Sequence, residues 1–282
     1  MKIYRDLTQL PNFKNAVLTI GSFDGVHRGH QHIIAQLAKI AQNIDGETVL
    51  LTFHPHPRIE LALQRGQKPE VRLLTSLEEK EALLKKYGIN HLVVIPINKA
   101  FSELSPNEYI EDFLVKNFHP KCIVIGYDHR FGKGRLGDID YLRRFESSYD
   151  YRLEEISPQE VNDIAVSSTK VRNAVKSGDV AMAQQLMGHA YRLSGKVVEG
   201  QRVGRTLGFP TANIAVENAY KIIPPDGIYS VLVHQGAETF KGMLYIGNRP
   251  SLNDGIKTSI EVHIFDFDKD IYQQNLQVDF ID

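Results

Sequence analysis

The chain contains Val17-Leu-Thr-Ile-Gly-Ser-Phe-Asp-Gly-Val-His-Arg-Gly-His30, in which an apolar run enters a glycine-rich turn. Apolar residues then recur at intervals of three and four, the spacing of an amphipathic helix: Ile33, Ile34, Leu37, Ala38 and Ala41. This order predicts a strand, a tight turn and a helix. Because the first backbone amides of a helix have no partners within it, they attract anions. We therefore expect this stretch to hold a nucleotide phosphate.

Two histidines, His27 and His30, lie three residues apart at the start of the predicted helix, so both can face the phosphate. They could instead be caps or surface residues, or ligands of a metal. Their spacing matches no standard zinc signature, and no cysteine accompanies them. We favour transfer at a nucleotide phosphorus, in which imidazoles and amides stabilise charge on the phosphoryl oxygens as pyrophosphate leaves.

The first half of the chain alternates apolar runs with helical patterns. Residues 48–53, 91–96 and 122–125 read as further strands, and the capping motifs at Ser76 and Ser105 each begin a helix. This order predicts a Rossmann-like α/β domain, a parallel sheet with helices on both faces. Ligands of such sheets bind beyond the carboxyl ends of the strands. Three polar clusters are expected at those ends: residues 21–30, 54–57 and 126–138.

The pattern changes in the second half of the chain. Two short helices are predicted at residues 170–176 and 180–187. Strand-like segments separated by turns then follow, at residues 193–198, 229–233, 242–246, 259–267 and 276–280. These segments predict a small antiparallel β-barrel or sandwich. We place the domain boundary so that the domains are residues 1–185 and 186–282.

Composition narrows the class of protein. The formal net charge is −1, without the basic excess that non-specific binding to nucleic acid or to an anionic membrane needs. No apolar stretch is long enough to span a bilayer, and the N-terminus has no apolar signal core, so we expect a cytoplasmic protein with small-molecule partners. The single cysteine, Cys122, lies in an apolar run and is expected to be a buried, unreactive thiol.

Two further segments of the first domain carry candidate binding residues. In Ser167-Ser-Thr-Lys-Val-Arg172, the hydroxyls of Ser168 and Thr169 and the guanidinium of Arg172 suit a triphosphate, although the segment could be a simple N-cap. Residues 126–138 resemble a P-loop, but the spacing and the residue after Lys133 are wrong for one. This loop could grip a second substrate or could be a polar surface loop.

The second domain has its own motif at residues 195–213, which end in Pro210-Thr-Ala-Asn213. The hydroxyl of Thr211 and the amide of Asn213 can reach one Mg²⁺ and its phosphate oxygens, although an ordinary β-turn loop would look similar. In residues 259–265, alternation places Glu261 and His263 on the same strand face. A lone glutamate on a strand is usually a solvated residue.

Taken together, the motifs resemble those of the bacterial bifunctional riboflavin kinase/FMN adenylyltransferases, or FAD synthetases. Gly-x-Phe-Asp-Gly-x-His-x-Gly-His, Thr-Phe-x-Pro-His-Pro and Ser-Ser-Thr-x-Ile/Val-Arg are matched at residues 21–30, 52–57 and 167–172. The resemblance implies that His27 and His30 are catalytic in adenylyl transfer. It implies ATP binding by Gly21, Phe23, Asp24, Gly29, Ser168, Thr169 and Arg172. It implies FMN binding by His54, Pro55, His56, Pro57, Asp128 and Arg130.

The second half of the chain matches the riboflavin kinase signature Gly-Arg-x-Leu-Gly-Phe-Pro-Thr-Ala-Asn at residues 204–213. The resemblance implies that Gly195, Gly204, Thr211 and Asn213 bind ATP, with Thr211 and Asn213 also holding Mg²⁺. It makes Glu261 the general base that takes a proton from the ribityl hydroxyl. The implied function is phosphorylation of riboflavin to FMN and adenylylation of FMN to FAD, with ATP as co-substrate of both steps.

Several positions depart from the family pattern. His129 stands where the family often has phenylalanine, Tyr245 where it has asparagine, and Ser251 where it has threonine. The sequence stops at Asp282, where family members continue into a C-terminal helix; a true truncation would weaken the kinase and leave adenylylation intact. Two alternatives stay open: an enzyme that only adenylylates and has an impaired barrel, and a flavin-binding module without turnover.

Overall fold

The computed structural model describes residues 1–156, 166–200, 209–251 and 255–282. Contacts divide the chain into two compact units. The first unit is Met1–Val71 with Lys80–Val166, and the second is Arg72–Glu79 with Ser167–Asp282.

Within the described ranges, six strands form the sheet of the first unit, and every neighbouring pair is parallel. They are β1 (Lys2–Tyr4), β2 (Val17–Ile20), β3 (Thr48–His54), β4 (His91–Pro96), β5 (Cys122–Gly126) and β6 (Arg152–Ile156). Their order across the sheet is β1-β4-β3-β2-β5-β6. After β2, the chain adds β3 and then β4 on one side of β2, and then adds β5 and β6 on the other side.

Helices connect these strands and lead into the second unit. They are α1 (Arg28–Asn43), α2 (Pro57–Gln64), α3 (Leu77–Lys86), α4 (Lys99–Ser102), α5 (Pro106–Glu108), α6 (Lys116–Phe118), α7 (Ile139–Arg143), α8 (Glu146–Tyr149), α9 (Ser168–Lys176) and α10 (Val180–Met187). Short 3₁₀ turns lie at Leu7–Gln9 and Lys133–Arg135. The segment Tyr109–Val115 between α5 and α6 is a π-helix rather than the regular helix that its sequence pattern indicates.

The core of the first unit explains why its strands are continuous apolar runs. All four residues of β2 are buried, as expected for a parallel sheet covered on both faces. On one face, alternate strand residues such as Leu18, Leu51 and Ile123 pack against the aromatic residues Phe113 and Phe118. The buried thiol of Cys122 is confirmed, and burial raises its pKa to about 12.

The strand order also fixes where the polar loops meet. Because β3 and β5 flank β2 on its two sides, the chain reverses direction across the sheet beside β2. Residues 54–57, 21–30 and 126–138 follow the carboxyl ends of these three neighbouring strands. This reversal is the position at which open α/β sheets bind ligands.

In the second unit, the described strands form a closed antiparallel barrel in the order β10-β11-β8-β7-β12-β9. The strands are β7 (Tyr191–Val198), β8 (Ala212–Ala215), β9 (Gly227–Gln235), β10 (Glu238–Ser251), β11 (Gly255–Ile264) and β12 (Asn275–Phe280). Alternate residues of β12, namely Leu276, Val278 and Phe280, are fully buried. This alternation is what a barrel with a packed interior requires. The predicted parallel α/β sheet followed by an antiparallel barrel is confirmed.

Residues 72–79 fold with the second unit although they precede most of the first in sequence. The capping box of α3 is formed: the Ser76 amide donates to Oε2 of Glu79, and the Glu79 amide donates to Oγ of Ser76. Lys221 Nζ donates to the same Oε2 at 2.6 Å and to the carbonyl oxygen of Leu74 at 2.6 Å. The ammonium also lies 4.5 Å from the centre of the Tyr191 ring. The sequence pattern predicted the capping box but not this grouping, and the boundary at residues 185–186 stays a prediction.

The buried ion pair generates a stability prediction. Glu79 and Lys221 are 4% and 5% exposed, so Lys221→Met would leave a buried carboxylate without its counter-charge. We expect the second unit to lose about 3–5 kcal/mol, measured as a lower urea midpoint by circular dichroism. The double variant Glu79→Gln/Lys221→Met should recover most of the loss. The exposed residue Lys241 provides the control, since Lys241→Met should leave the midpoint unchanged.

Candidate active sites

The turn between β2 and α1 has an unusual backbone. Phe23 and Val26 adopt φ angles of 46° and 37°, and Gly25 adopts 83°. The left-handed region is strained for side chains such as that of Val26, and such strain persists only where the surroundings fix it. Both Phe23 and Val26 are buried, so packing holds the turn in this shape.

The turn delivers two stacked imidazoles to the start of α1. His27 is the N-cap, and its Nδ1 accepts a long hydrogen bond of 3.4 Å from the His30 amide. The two rings are stacked with centroids 3.7 Å apart, and the His30 ring also contacts Phe23 at 4.8 Å. A Cβ at Gly29 would come within 3.2 Å of the His27 ring. Glycine at this position therefore lets the His27 ring lie against the helix start.

The bond to Nδ1 also defines how the neutral His27 ring can act. Because Nδ1 accepts, the proton of the neutral ring is on Nε2, which can donate to an anion. Within the described part of the chain, no group of three or more His, Cys, Asp and Glu side chains is placed to hold a metal ion.

The loop after β3 forms the second cluster. His54 and Pro55 are exposed and joined by a cis peptide bond. His56 caps α2, accepting at Nδ1 from the Arg58 amide at 3.2 Å, and Pro57 is the first residue of that helix. His56 thus places another imidazole at a helix start, in the loop that follows β3, the strand next to β2.

The loop after β5 is anchored by packing of Phe131 and Gly137. Phe131 pairs with Gly137 through two backbone hydrogen bonds of 3.0 Å, and its ring stacks on Tyr109 at 4.7 Å. A Cβ at Gly137 would lie 2.4 Å from the Phe131 ring, so only glycine fits there. Arg130 Nη1 lies 3.6 Å from Oδ2 of Asp138, and both side chains remain partly exposed.

His129 also lies in this loop, and the sequence assigned no role to it. Burial lowers its pKa to about 4, so the imidazole is neutral at physiological pH. Its Nε2 is buried and has no hydrogen-bond partner among the described residues. The ring packs on Phe131 at 5.9 Å, which suits an aromatic position in the loop.

The residues expected to bind the triphosphate lie on α9 in the second unit. Ser167 is the N-cap of this helix and accepts from the Lys170 amide, so Ser168 and Thr169 occupy its first turn. Arg172 Nε donates to the carbonyl oxygen of Arg72 at 2.8 Å, which fixes the guanidinium plane. Their assignment to ATP stays a prediction.

In the barrel, the strand register brings the expected kinase residues together. Glu261 of β11 is directly opposite Asn213 of β8 and Tyr245 of β10, so the three residues form a row across the sheet. Residues directly opposite one another project to the same face. Oε2 of Glu261 accepts from the Thr211 hydroxyl at 3.1 Å, and Oε1 accepts from the Ser259 hydroxyl at 3.1 Å. Both carboxylate oxygens of Glu261 are thereby held.

Other contacts fix the turn that precedes β8. Nδ1 of His263 donates to the carbonyl oxygen of Pro210 at 2.8 Å. A Cβ at Gly200 would lie 2.2 Å from Nδ2 of Asn213, so the backbone at Gly200 passes directly against that amide. Gly195 packs as closely on β8, because a Cβ there would lie 2.5 Å from the Ala215 carbonyl oxygen. Gly204 lies outside the described residues.

Comparison with known proteins identifies the family. The family model described as FAD synthetase matches residues 10–170, and the one described as riboflavin kinase matches residues 187–282. The chain belongs to the bifunctional riboflavin kinase/FMN adenylyltransferase family. The relative of that name from Listeria monocytogenes is 37% identical, over 94% of this chain and 82% of its own length. The one from Escherichia coli K12 is 35% identical, over 99% and 88%.

A solved structure resembles this chain over nearly its whole length. It is described as a macrolide-efflux protein from Streptococcus pneumoniae and is 29% identical, with a TM-score of 0.85 over 99% of this chain and 89% of that one. Among the described helices of the present chain, none is long and apolar enough to cross a membrane. The family resemblance predicted from the motifs is confirmed.

Sequence reasoning missed two residues that contact the predicted kinase site, Ser259 and Gly200. The signal for Ser259 was its spacing, since alternation along β11 places it on the same face as Glu261. Nothing local distinguishes Gly200 from the other glycines of residues 195–208, because its close partner Asn213 comes from another strand.

Proposed function

We propose that this chain makes FMN and FAD at two separate sites, phosphorylating riboflavin in the barrel and adenylylating FMN in the α/β unit, with ATP as donor for both. The observation that carries the proposal is that one chain holds two different sets of reactive groups, one in each unit. The stacked His27 and His30 occupy a helix start, and Glu261 is held at both oxygens in the barrel.

In the adenylylation step, a phosphate oxygen of FMN attacks the α-phosphorus of ATP. The bond from that phosphorus to the bridging oxygen breaks, and pyrophosphate leaves. The amides at the start of α1 and the N–H groups of His27 and His30 stabilise the negative charge that develops on the phosphoryl oxygens. We propose ATP binding by Gly21, Phe23, Asp24, Gly29, Ser168, Thr169 and Arg172. We propose FMN binding by residues 54–57 with Asp128 and Arg130.

In the phosphorylation step, the terminal ribityl hydroxyl attacks the γ-phosphorus of ATP, and ADP leaves. Glu261 takes the hydroxyl proton as general base. The hydroxyls of Thr211 and Ser259 hold its carboxylate in one orientation, which reduces the cost of reaching the reactive geometry.

The donors in the barrel also suit Mg²⁺. The hydroxyl of Thr211 and the amide oxygen of Asn213 are hard oxygen ligands, and the close approach of Gly200 fixes the amide. When bound, Mg²⁺ would neutralise charge on the ATP phosphates. The proposed partners are riboflavin, FMN and ATP, and the proposed location is the cytoplasm.

A product assay tests both sites at once. The protein is incubated with riboflavin or FMN and Mg-ATP, and flavins are separated by chromatography. Wild type should form FMN and then FAD. His30→Ala should abolish FAD formation alone, and Asn213→Ala should abolish FMN formation alone.

The remaining outcomes distinguish the alternatives. FAD formed only from added FMN would indicate an adenylyltransferase with an impaired barrel. Tight flavin binding with neither product would indicate a flavin-binding module. If either substitution stopped both steps when each was started from its own substrate, the assignment of two separate sites would be wrong.

The contact between Gly200 and Asn213 gives a second prediction. The methyl group of Gly200→Ala would displace the Asn213 amide, so phosphorylation of riboflavin should slow by about 10-fold or more, since small misplacements are costly in catalysis. FAD formation from added FMN should be unchanged. Gly227→Ala is the matched control, because a Cβ there meets Tyr229 at an ordinary 3.5 Å and should leave both rates unchanged. Equal rates for Gly200→Ala and wild type would rule out this role for the contact.

A further inference from the structure

Lys80 lies in the first unit and has no place in the proposed chemistry. It is 6% exposed and lies in the first turn of α3. Two effects oppose a cation there, since burial removes its hydration and the positive end of the helix dipole repels it. Burial lowers the pKa of Lys80 to about 8, and the charges of Asp24 and Glu81 act in the opposite direction. The side chain is therefore mostly an ammonium at neutral pH.

The contacts of Lys80 lead to the turn that carries the histidines. Its Nζ donates to Oγ1 of Thr52 at 3.2 Å, and the Thr52 hydroxyl donates to the carbonyl oxygen of Ser22 at 3.2 Å. Thr52 is fully buried. The opposite charge that favours the ammonium comes from Asp24, which belongs to the same turn and is 1% exposed. Lys80 thus acts on the turn through a hydrogen-bond chain and through a buried counter-charge.

This turn requires such support because its backbone is strained. Phe23 and Val26 flank Asp24 with positive φ angles, and His27 follows directly. Such positions are energetically costly and persist only when neighbouring groups determine them. Without the Lys80 ammonium, the buried Asp24 carboxylate would lose a favourable opposite charge, and a rearrangement that exposes the carboxylate to water would become more favourable. The Lys80 ammonium therefore stabilises the buried position of this carboxylate.

We infer that Lys80 is a positioning residue for adenylyl transfer, holding Ser22 and Asp24 so that His27 and His30 meet the α-phosphate. This inference rests on the proposed function and adds to it a residue outside the glycine-rich motif. Lys80 is buried and its ammonium donates to Thr52, so the inference assigns it no direct contact with ATP.

The test compares three variants in the full-length chain. Lys80→Met keeps the length of the side chain without its charge, Lys80→Arg keeps the charge, and Lys85→Met alters an exposed lysine of the same helix. For FAD formation from FMN, we expect kcat to fall about 100-fold in Lys80→Met, as for a displacement of about 1 Å at a reacting group. Lys80→Arg should recover at least about a tenth of the wild-type rate, and Lys85→Met should match wild type.

Two readouts separate positioning from a general loss of folding. Phosphorylation of riboflavin, measured on the same preparations, should stay within about 3-fold of wild type. The pH profile of FAD formation should differ between wild type and Lys80→Arg. Wild-type kcat should fall above about pH 8 as the ammonium loses its proton, whereas the guanidinium stays charged and should remove that fall.

Either of two results would overturn the inference. One is a wild-type kcat in Lys80→Met, and the other is a fall of kcat above about pH 8 that is the same in Lys80→Arg and wild type. If Lys80→Met does not fold, Thr52→Val removes the hydrogen-bond chain with little change of shape. The inference would also be overturned if Thr52→Val formed FAD at the wild-type rate and Lys80→Arg showed the same fall of kcat above about pH 8 as wild type. Absence of FAD formation in wild type would instead overturn the proposed function, and the inference with it.

Discussion

The reversal of strand order beside β2 is the constraint on which the first unit depends. Parallel strands end on the same edge of a sheet, so placing β3 and β5 on either side of β2 brings three polar loops to that edge. The loop after β2 must then turn sharply into α1, and it does so with strained backbone at Phe23 and Val26. Burial of this turn, with the charges of Asp24 and Lys80, keeps the helix start and its histidines in place.

In the barrel, the strand register is what brings the residues of the proposed site together. Antiparallel pairing places Asn213, Glu261 and Tyr245 in one row, although Asn213 and Glu261 are far apart in sequence. The register also brings hydroxyls to both oxygens of Glu261. A slip of one residue would turn the whole row to the other face, so the register of β8, β10 and β11 determines whether the site exists.

Local patterns predicted much of this arrangement. The capping boxes at Ser76 and Ser105, the buried strand β2 and the glycine-rich turn are all encoded within a few residues, and the structure contains each of them. The π-helix at Tyr109–Val115 was not predicted, since its apolar spacing resembles that of an ordinary helix. The family motifs named the candidate residues, but not the contacts that hold them.

The contacts that the sequence could not reveal are long-range. Glu79 with Lys221, Lys80 with Thr52, and Gly200 with Asn213 each join residues that no local pattern relates. Burial of the two lysines could not be inferred either, because lysine in a helix or a loop is usually exposed. Tertiary structure therefore supplied the residues that position the sites.

The proposed mechanism requires two independent ATP sites in one chain. Its most direct test is the stoichiometry of ATP binding in equilibrium dialysis, with Mg²⁺ present and no flavin to accept a phosphoryl or adenylyl group. Two ATP molecules should bind per chain at saturation, and one in Asn213→Ala at concentrations that fill only the remaining site. One ATP per chain in the wild-type protein, unchanged by that substitution, would contradict the mechanism with two sites.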